Sequence, residues 1–400
     1  MADPVSTLTA HPHVAAAEER LLHIAPGPVA HHTICPVQDL PADLETARSW
    51  GMLAARWGTS PFLFPSWIDT WVTWYQPQSR IEIFDARAGE QVIGALPLLR
   101  ESTWLCGVPV RRLRPPYSLT SPDPYELQTV PGGQDLAAEA IWNHLRRDRS
   151  WDVIELVDLA AGSSAAALIA QAEASGFVTG RRPSRVTPWV DLTTITDPFA
   201  HTTAKFRANL RRRRRNLEQL GNLQLVRHTD LSSDVVNQFL ELEHAGWKGR
   251  NGTSILSSAT DTMYHCAIAR VAAESGHLAI YSLELDGKPI AMHFGVIAQN
   301  RYSVPKLAFD EQFHEYAPGH ILVHDVLQDL IARDIAEFDF LGNQMDWKRE
   351  WTPLTRSCER VHIFNRTTCG LAAAGMRYNL LPRARAVRNR FAAVQPEHGS

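Results

Sequence analysis

The stretch that decides the fold runs from residue 278 to residue 333 and reads LAIYSLELDGKPIAMHFGVIAQNRYSVPKLAFDEQFHEYAPGHILVHDVLQDLIAR. Its first part holds three strand-like runs, and Asp286-Gly287, a strong hairpin signal, joins the first two. Its last part has apolar residues at helical spacing, from Gly319 to about Arg333. The stretch therefore predicts three antiparallel strands followed by a helix that opens at Ala317-Pro318-Gly319.

Two features of this stretch predict an opening in the sheet. Pro305 lies inside the third strand, and proline removes one backbone donor, which disfavours a fully paired position. An ordinary edge strand is the alternative. The helix that follows starts at Pro318-Gly319, where free N–H groups and the helix dipole favour an anion.

Working outward, the second half begins with a helix that carries five consecutive arginines, Arg211 to Arg215. A strand (223–227), a helix (about 235–247) and a second helix (about 260–274) precede the deciding stretch. Strands at 335–341 and about 360–365 follow it. The first half also alternates helical and extended patterns, and it contains a hairpin formed by residues 80–86 and 91–98.

The length of 400 residues predicts two domains, since one core rarely grows so large. We expect a poorly ordered N-terminal arm at 1–40, a first domain at 41–190, a linker at 191–204, a second domain at 205–368, and a basic C-terminal helix and tail at 369–400. The linker is rich in threonine and contains Asp197-Pro198, which is typical of connecting segments.

Composition excludes several functional classes. The net charge of −3 gives no field that would attract DNA or a membrane, and no apolar stretch approaches the roughly 20 residues that span a bilayer. The five scattered cysteines form no C-x-x-C pair, and neither H-E-x-x-H nor G-x-S-x-G occurs. The sequence therefore predicts a cytoplasmic protein without a metal, a disulfide framework or a hydrolase nucleophile.

Several motifs in the second half resemble the GNAT acyltransferase superfamily. They are most similar to its BioF2-like, or cellulose-biosynthesis-protein-like, acetyltransferases, which are related to the Fem-type peptidyltransferases. The residues that carry the resemblance are Glu243-x-x-x-Trp247-Lys248-Gly249-Arg250-x-Gly252-Thr253, Lys306-x-Ala308-Phe309-Asp310, Pro318-Gly319-x-x-Leu322, Phe338-Asp339-Phe340-Leu341-Gly342 and Trp347-Lys348-x-x-Trp351.

The resemblance implies an α/β (α+β) fold of tandem GNAT-like domains, each a mixed, mostly antiparallel sheet flanked by helices. It implies acetyl-CoA or another acyl-CoA as co-substrate, lying where the third strand splays from the strand after the helix. An acyl group would pass directly to an amine of a small-molecule or sugar-like acceptor. One departure is clear: the usual Arg/Gln-x-x-Gly-x-Gly/Ala signature is absent, and only Gly319 remains in this loop.

Two residues are candidates for the general base that deprotonates the acceptor. His293 lies on one face of its predicted strand between Ala291 and Gly295, which leaves room for a ligand. A hydrogen-bonded structural histidine is the alternative. Glu243 lies near the end of a predicted helix, one turn before Trp247, where this fold places acceptor-binding residues.

Three further residues complete the predicted catalytic set. Tyr302 and Lys306 share one face of the third strand; the first would protonate a leaving thiolate, and the second would hold a phosphate or carboxylate. A solvated lysine is the alternative for Lys306. Asp310 follows closely and is equally consistent with a role as a turn cap.

The remaining candidates bind the co-substrate or the acceptor. The predicted cofactor-binding residues are Pro305, Pro318, Gly319, His320 and Lys348. The predicted acceptor-binding residues, on the helix end and a glycine-rich loop that follows it, are Trp247, Lys248 and Arg250. A tryptophan on a helix face is also common in a protein core.

Two rival functions stay open. The Arg211 to Arg215 run and the missing glycine signature are consistent with a Fem-like enzyme that takes its aminoacyl group from tRNA. Five consecutive arginines wrap around a helix instead of forming one face, so a solvated helix is favoured over a nucleic-acid surface. The other rival is a non-catalytic tandem scaffold that binds a ligand or partner. Both a monomer and a homodimer are compatible with the sequence.

Overall fold

The computed structural model of the protein describes residues 29–36, 45–57, 60–116, 126–232 and 234–381. Most of the predicted N-terminal arm and residues 382–400 of the predicted tail lie outside this range. The described part of the arm, Val29–Pro36, is a strand that pairs antiparallel with residues 80–87. The sequence did not predict this strand. The segment has no clear strand pattern of its own, and pairing with β2 keeps it extended.

Helices and strands alternate along the chain. The helices are α1 (Glu45–Trp57), α2 (Pro65–Tyr75), α3 (Gln134–Leu145), α4 (Ala165–Ala174), α5 (Ala204–Glu218), α6 (Val235–Ala245), α7 (Trp247–Arg250), α8 (Ala259–Glu274), α9 (Pro318–Ala332), α10 (Asp346–Arg349) and α11 (Thr368–Ala374). The strands are β1 (Val29–Pro36), β2 (Arg80–Ala88), β3 (Gln91–Leu105), β4 (Val108–Arg114), β5 (Gln128–Thr129), β6 (Val153–Ala160), β7 (Val178–Asp191), β8 (Leu223–His228), β9 (Ile280–Leu285), β10 (Lys288–Ala298), β11 (Arg301–Phe309), β12 (Glu337–Asp339) and β13 (Thr355–Phe364). Short 3₁₀ segments occupy Pro61–Leu63, Ile255–Ser257 and Glu311–Tyr316, and a π-helical segment occupies Gly375–Leu380.

The two halves repeat one topology, which confirms the predicted α/β class with a mixed sheet flanked by helices. In the first half β2, β3 and β4 form an antiparallel meander, α3 follows, and β6 pairs parallel to β4. In the second half β9, β10 and β11 form the meander, α9 follows, and β12 pairs parallel to β11. Right-handed crossovers through a helix are the usual way to place such parallel neighbours.

The halves share one sheet, in the order β1-β2-β3-β4-β6-β13-β7-β12-β11-β10-β9-β8, with β5 beside β3. Strand β13, from the end of the second half, lies between β6 and β7 of the first half. Strand β7 in turn pairs with β12 of the second half. The predicted last strand is therefore present, but it is paired with the first half, so residues 205–368 do not form a separate sheet.

The predicted linker packs into the second core. Leu192, Ile195 and Phe199 are buried there together with residues of α5 and α9. Thr203 caps α5 by accepting a hydrogen bond from the Phe206 N–H at 3.1 Å. Residues 191–204 thus connect the halves as a packed segment and not as a free tether.

Local signals account for the elements that frame the site. Asp286 and Gly287 both have positive φ (50° and 79°), as the type I′ hairpin between β9 and β10 requires. Helix α9 follows Ala317, whose φ is 53°, and buries its apolar stripe as predicted. Helix α6 ends at Ala245 instead of continuing to Trp247, because Gly246 is extended (φ −83°, ψ −167°).

Candidate active site

Strands β11 and β12 frame the candidate site and are paired over only a short length. Residues 301–303 lie opposite residues 337–339, and the pairing ends there. Strand β11 continues to Phe309, whereas the chain after β12 turns away at Leu341 (φ 49°) and Gly342 (φ 59°). Left-handed backbone costs a non-glycine residue about 1–2 kcal/mol, so packing must hold Leu341 there. The opening agrees with the prediction made from Pro305.

A cavity of about 410 Å³ lies in this opening, and we call it the transfer cavity. Its walls come from β11, from the α6–α7 junction and from the segment after β12. The predicted site residues that line it are Glu243, Trp247, Lys248, Pro305, Lys306 and Lys348. Most of the other lining side chains are apolar, among them Leu307, Phe309, Phe340, Leu341, Met345 and Trp347. Four of the five sequence motifs of the second half thus contribute to one mostly apolar cleft with a few charged groups, and the motif Pro318-Gly319-x-x-Leu322 does not.

Lys348 is the buried cation of this cavity. Only 6% of it is exposed, and its Nζ donates to the carbonyl oxygens of Leu341 (2.6 Å) and Asn343 (3.1 Å). Burial lowers the pKa of Lys348 to about 8, although the nearby Asp339 opposes this shift. The lysine therefore holds the left-handed turn at 341–342 and contributes a positive charge to the residues of the cavity wall.

Glu243 is the buried carboxylate of the cavity, with 4% of the residue exposed. Its Oε1 accepts from Lys248 Nζ at 2.8 Å, and its Oε2 accepts from the backbone N–H of Ile255 at 2.7 Å. Each of the two carboxylate oxygens therefore has a hydrogen-bond donor. Of the two predicted bases, Glu243 is the one that the structure brings to the cavity.

The acceptor-binding candidates form the mouth of the cavity. Trp247 is 52% exposed and is therefore not a core tryptophan. Its backbone N–H donates to Glu311 Oε1 at 2.7 Å, and Arg250 donates to Glu311 Oε2 at the same distance. Sequence analysis missed Glu311, which joins the 3₁₀ segment after β11 to α7. Its position directly after the Lys306–Asp310 motif is the signal that could have found it.

Lys306 and Pro305 lie in the part of β11 that has no β12 partner. Lys306 lines the transfer cavity opposite Phe294 in the β10–β11 register. Its charge also acts on His265 of α8, whose pKa is lowered to about 4 mainly by burial and further by Lys306. Lys306 thus contributes a basic side chain to the wall of the transfer cavity.

Two predicted catalytic residues, His293 and Tyr302, lie in the core and not in the cavity. His293 is 2% exposed, and burial lowers its pKa to about 3, so it stays neutral. Tyr302 is fully buried, and burial raises the pKa of its hydroxyl well above the usual value. The room that Gly295 was predicted to leave for a ligand holds the Tyr302 ring instead. A Cβ at Gly295 would lie 2.3 Å from the Tyr302 hydroxyl.

This packing gives a prediction for stability. Gly295→Ala is expected to lower the free energy of unfolding by about 1–3 kcal/mol, because the new methyl group overlaps the Tyr302 ring in a close-packed core. Urea unfolding measures the change. Gly51→Ala in α1 is the matched control: its added Cβ has no neighbour nearer than 3.8 Å. Equal stability of Gly295→Ala and wild type would show that this face of β10 has free space.

The start of α9 offers fewer free donors than an ordinary helix start. Pro318 has no N–H, and the N–H groups of His320 and Ile321 both donate to the Ala317 carbonyl (3.0 and 3.2 Å). A Cβ on Gly319 would meet only ordinary contact, 3.8 Å from the Phe309 ring. The fold itself therefore does not demand glycine at this position.

His320 and Asp310 have structural partners. His320 accepts a hydrogen bond from the Trp351 indole at 3.2 Å, and burial together with Arg213 lowers its pKa to about 4. It is thus uncharged at neutral pH. Asp310 caps the segment Glu311–Tyr316 by accepting from the Gln312 N–H at 3.0 Å, which is the turn-cap alternative raised above. Neither residue lines the transfer cavity.

Two absences apply to the part of the chain that the structure describes. No group of three or more His, Cys, Asp or Glu side chains there has the arrangement of a metal site. No helix in the described ranges is both long and apolar enough to cross a membrane.

Comparison with known proteins finds a family model that matches most of the second half. Residues 204–349 match the family model described as "Acetyltransferase (GNAT) domain", whereas no curated protein matches the sequence. Among solved structures, FemX is similar over 82% of this chain and 98% of its own, with a TM-score of 0.58 and 12% identity. L-PGS from Bacillus licheniformis is similar over 84% and 96%, with a TM-score of 0.51 and 12% identity. These structural similarities, at low sequence identity, show a shared fold that extends over both halves. Residues 204–349, which match the GNAT acetyltransferase model, include every residue that lines the transfer cavity.

Proposed function

We propose that the protein transfers an acyl group, acetyl in the simplest case, from acyl-CoA to an amine of a small-molecule or sugar-like acceptor. The observation that carries the proposal is the transfer cavity, which opens where β11 leaves β12. There the β11 backbone beyond Ser303 has no β12 partner, so its polar groups are available to an extended thioester arm. The mostly apolar walls exclude water from the reacting atoms.

The proposed reaction is one direct displacement. The acceptor nitrogen attacks the thioester carbonyl carbon, a C–N bond forms and the C–S bond breaks. Glu243 takes the proton that the nitrogen loses, and the thiolate leaves to be protonated as a thiol. The positive charge of Lys348, a residue of the cavity wall, favours negative charge on the carbonyl oxygen. Positioning of the two substrates supplies much of the rate enhancement.

The mouth of the cavity is where we place the acceptor. Trp247 offers an exposed ring, and Glu311 fixes the backbone that carries it. Lys248 remains bound to Glu243, so the acceptor amine can approach the carboxylate from the cavity side without displacing the ion pair. The identity of the acceptor then depends on side chains at this mouth, chiefly Trp247 and Met345.

Calorimetric titration tests the donor. We expect acetyl-CoA and the unreactive desulfo-CoA to bind the full chain in the micromolar range. Met345→Glu should weaken both several-fold, because it places a negative charge at the mouth of a cavity that takes an anionic donor. Met263→Glu is the matched control, since Met263 is similarly exposed but does not line the cavity. Absence of binding below the millimolar range would rule out CoA as donor.

A second donor, aminoacyl-tRNA, is supported by two observations. The exposed arginines of α5 would suit an RNA backbone, and the fold is shared with FemX and L-PGS. In this alternative an aminoacyl group on tRNA replaces acyl-CoA, while the cavity and Glu243 keep their roles. Transfer of radiolabelled amino acid from aminoacyl-tRNA, without any from acetyl-CoA, would favour it.

A further inference from the structure

Lys348 is a buried cation, and its bonded acceptors among the described residues are neutral. Its Nζ donates to the carbonyl oxygens of Leu341 (2.6 Å), Asn343 (3.1 Å) and Phe340 (3.5 Å). A carbonyl oxygen carries only a partial charge, so it stabilises an ammonium less than a carboxylate would. Because burial already lowers the pKa of Lys348 to about 8, a nearby negative charge decides how far the lysine stays protonated above neutral pH.

Asp339, the last residue of β12, is a buried carboxylate that is joined to Lys348 through Leu341. Asp339 is 3% exposed, and its Oδ1 accepts from the Leu341 N–H at 2.8 Å. Lys348 donates to the carbonyl oxygen of Leu341. Leu341 is therefore held at both its N–H and its C=O, which keeps a non-glycine residue at a φ of 49°. Two buried groups of opposite charge thus meet at one backbone position.

Arg356 favours the charged form of Asp339. Burial raises the pKa of the Asp339 carboxyl, whereas the Leu341 N–H and the Arg356 guanidinium lower it. The Arg356 Nη1 donates to Asp339 Oδ2 at 3.2 Å and to Glu337 Oε1 at 2.8 Å. The guanidinium also lies 4.1 Å from the centre of the Trp189 ring, and this stacking fixes its position. Both oxygens of Asp339 thus have donors that favour the ionised form.

The other charged groups around Asp339 and Lys348 do not replace Asp339. Many of those on neighbouring elements and at the transfer cavity are paired with one another: Arg185 with Asp158, Arg301 with Glu337, Arg349 with Asp346, Lys248 with Glu243, and Arg250 with Glu311. Lys306, from β11, is a further cation of the cavity wall. After burial and Asp339, the positive charge of Arg185 is the next influence on the pKa of Lys348, and it lowers that pKa. Asp339 is thus the group whose charge raises the pKa of the lysine.

We propose that Asp339 is the positioning residue of Lys348: it holds the Leu341 backbone to which Lys348 bonds, and its negative charge keeps the lysine protonated beside the transfer cavity. This inference rests on the proposed function, in which the positive charge of Lys348 acts on the carbonyl oxygen. It also gives the strand exchange a role in the reaction. Arg356 lies on β13, between two strands of the first half, and Trp189 lies on β7, opposite Asp339 in the β7–β12 register. The first half thereby helps to set the charge of a residue in the second half.

An NMR titration of Lys348 tests the inference without acyl transfer. The sequence has five lysines, so the Cε signals of ¹³C-labelled lysine are few, and Lys348→Met assigns one of them. Asp339→Asn can still accept from the Leu341 N–H but has no charge, and it is expected to move the Lys348 midpoint from about 8 to lower pH by about one pH unit. Asp346→Asn is the matched control. It removes the same charge two residues from Lys348, where the side chain is 98% exposed, and should leave the midpoint unchanged.

The pH profile of kcat is the second measurement. Relative to wild type at the same pH, Asp339→Asn should lower kcat about fivefold at pH 8 but less than about twofold at pH 6.5, because the lysine is protonated again at the lower pH. KM for the donor should stay unchanged, since the charge acts on the reacting carbonyl. A merely structural role of Asp339 would lower kcat by the same factor at both pH values.

The outcomes distinguish this inference from the proposed function. An unchanged Lys348 midpoint in folded Asp339→Asn overturns the inference, and an equal loss of kcat at both pH values then assigns Asp339 a structural role alone. A lowered midpoint without a matching change in the pH profile keeps the inference and removes Lys348 from the proposed reaction. If melting shows that Asp339→Asn does not fold, the double variant Asp339→Asn/Arg356→Gln makes the same test. It replaces the buried ion pair by two amides that can bond to each other, and an unchanged midpoint there overturns the inference equally.

Discussion

Replacing Glu243 by glutamine is expected to lower kcat for acyl transfer by about 10²- to 10⁴-fold, which is the usual contribution of a general base. The side chain keeps its size and can still accept from the Ile255 N–H, but it can no longer take the acceptor proton. KM for the donor should change little, because the carboxylate acts on the acceptor. Steady-state kinetics with release of free thiol as the signal measures both parameters.

Glu241→Gln is the matched control for this prediction. Glu241 lies on the same helix, is exposed and does not line the transfer cavity. Its replacement should leave kcat unchanged. A Glu243→Gln enzyme that retains wild-type kcat, with the variant folded by thermal melting, would contradict the assignment of the base. Loss of activity together with a large loss of stability would instead assign Glu243 a structural role through Lys248 and Ile255.

Lys348→Met is expected to cost about 2–4 kcal/mol of stability and to lower acyl transfer by about 10²-fold. The variant leaves the buried carbonyl of Leu341 and the carbonyl of Asn343 without their donor, and the left-handed turn beside the cavity loses its anchor. Urea unfolding and steady-state kinetics measure the two effects. Lys288→Met, at the exposed start of β10, is the control and should change neither.

The pH dependence of the free energy of unfolding distinguishes Lys348 from other titratable groups. Its pKa is about 8 in the folded protein and 10.5 in the reference state, so between these values the unfolded chain binds more protons. Stability therefore rises with pH across this window, by linkage, and the lysine contributes no slope below pH 8. Wild type should gain stability from pH 8 to 10.5 relative to Lys348→Met. Identical slopes in the two proteins would show that the ammonium is not desolvated.

The rate of acyl transfer should fall over the pH range in which the stability rises. If the protonated Lys348 stabilises charge on the carbonyl oxygen, transfer declines as the pH rises above about 8. Lys348→Arg keeps a positive charge at every accessible pH and should lose this alkaline decline, even if its overall rate is lower. An unchanged alkaline limb in Lys348→Arg would assign the decline to another group.

Much of the second half could be predicted because its signals are local. The Asp286-Gly287 turn fixes the β9–β10 hairpin through two positive φ values. The apolar stripe of α9 and the proline in β11 likewise act within a few residues of the chain. Glu243, Trp247, Lys248, Lys306 and Lys348, which belong to the motifs of the resemblance, all line the transfer cavity, and their roles there stay a prediction.

His293 and Tyr302 do not line the transfer cavity, so the prediction of their surroundings was wrong. The prediction that Tyr302 and Lys306 share a face was also wrong: Lys306 lies opposite Phe294 but Ser303 lies opposite Val296, and this register shift turns Tyr302 to the other face of β11. Alternation along a strand without a bulge tells which side chains share a face, but not what packs against that face. Here α9 covers the face that carries His293, and the Tyr302 ring fills the space above Gly295. Glu311 was missed for the same reason, since its contacts with Trp247 and Arg250 join segments 61 residues or more apart in sequence.

The sequence by itself determined the order of elements in the second half, the opening at Pro305, and the match of residues 204–349 to the GNAT acetyltransferase model. Only the tertiary structure decided that β13 and β7 cross between the halves. It also decided that the predicted linker is core, that Glu243 and not His293 reaches the cavity, and that Asp339 and Lys348 both bond to Leu341. The physical reason is the separation in sequence of the residues that interact. Turns, caps and periodicity depend on residues a few positions apart, whereas strand exchange and burial depend on segments far apart in the chain.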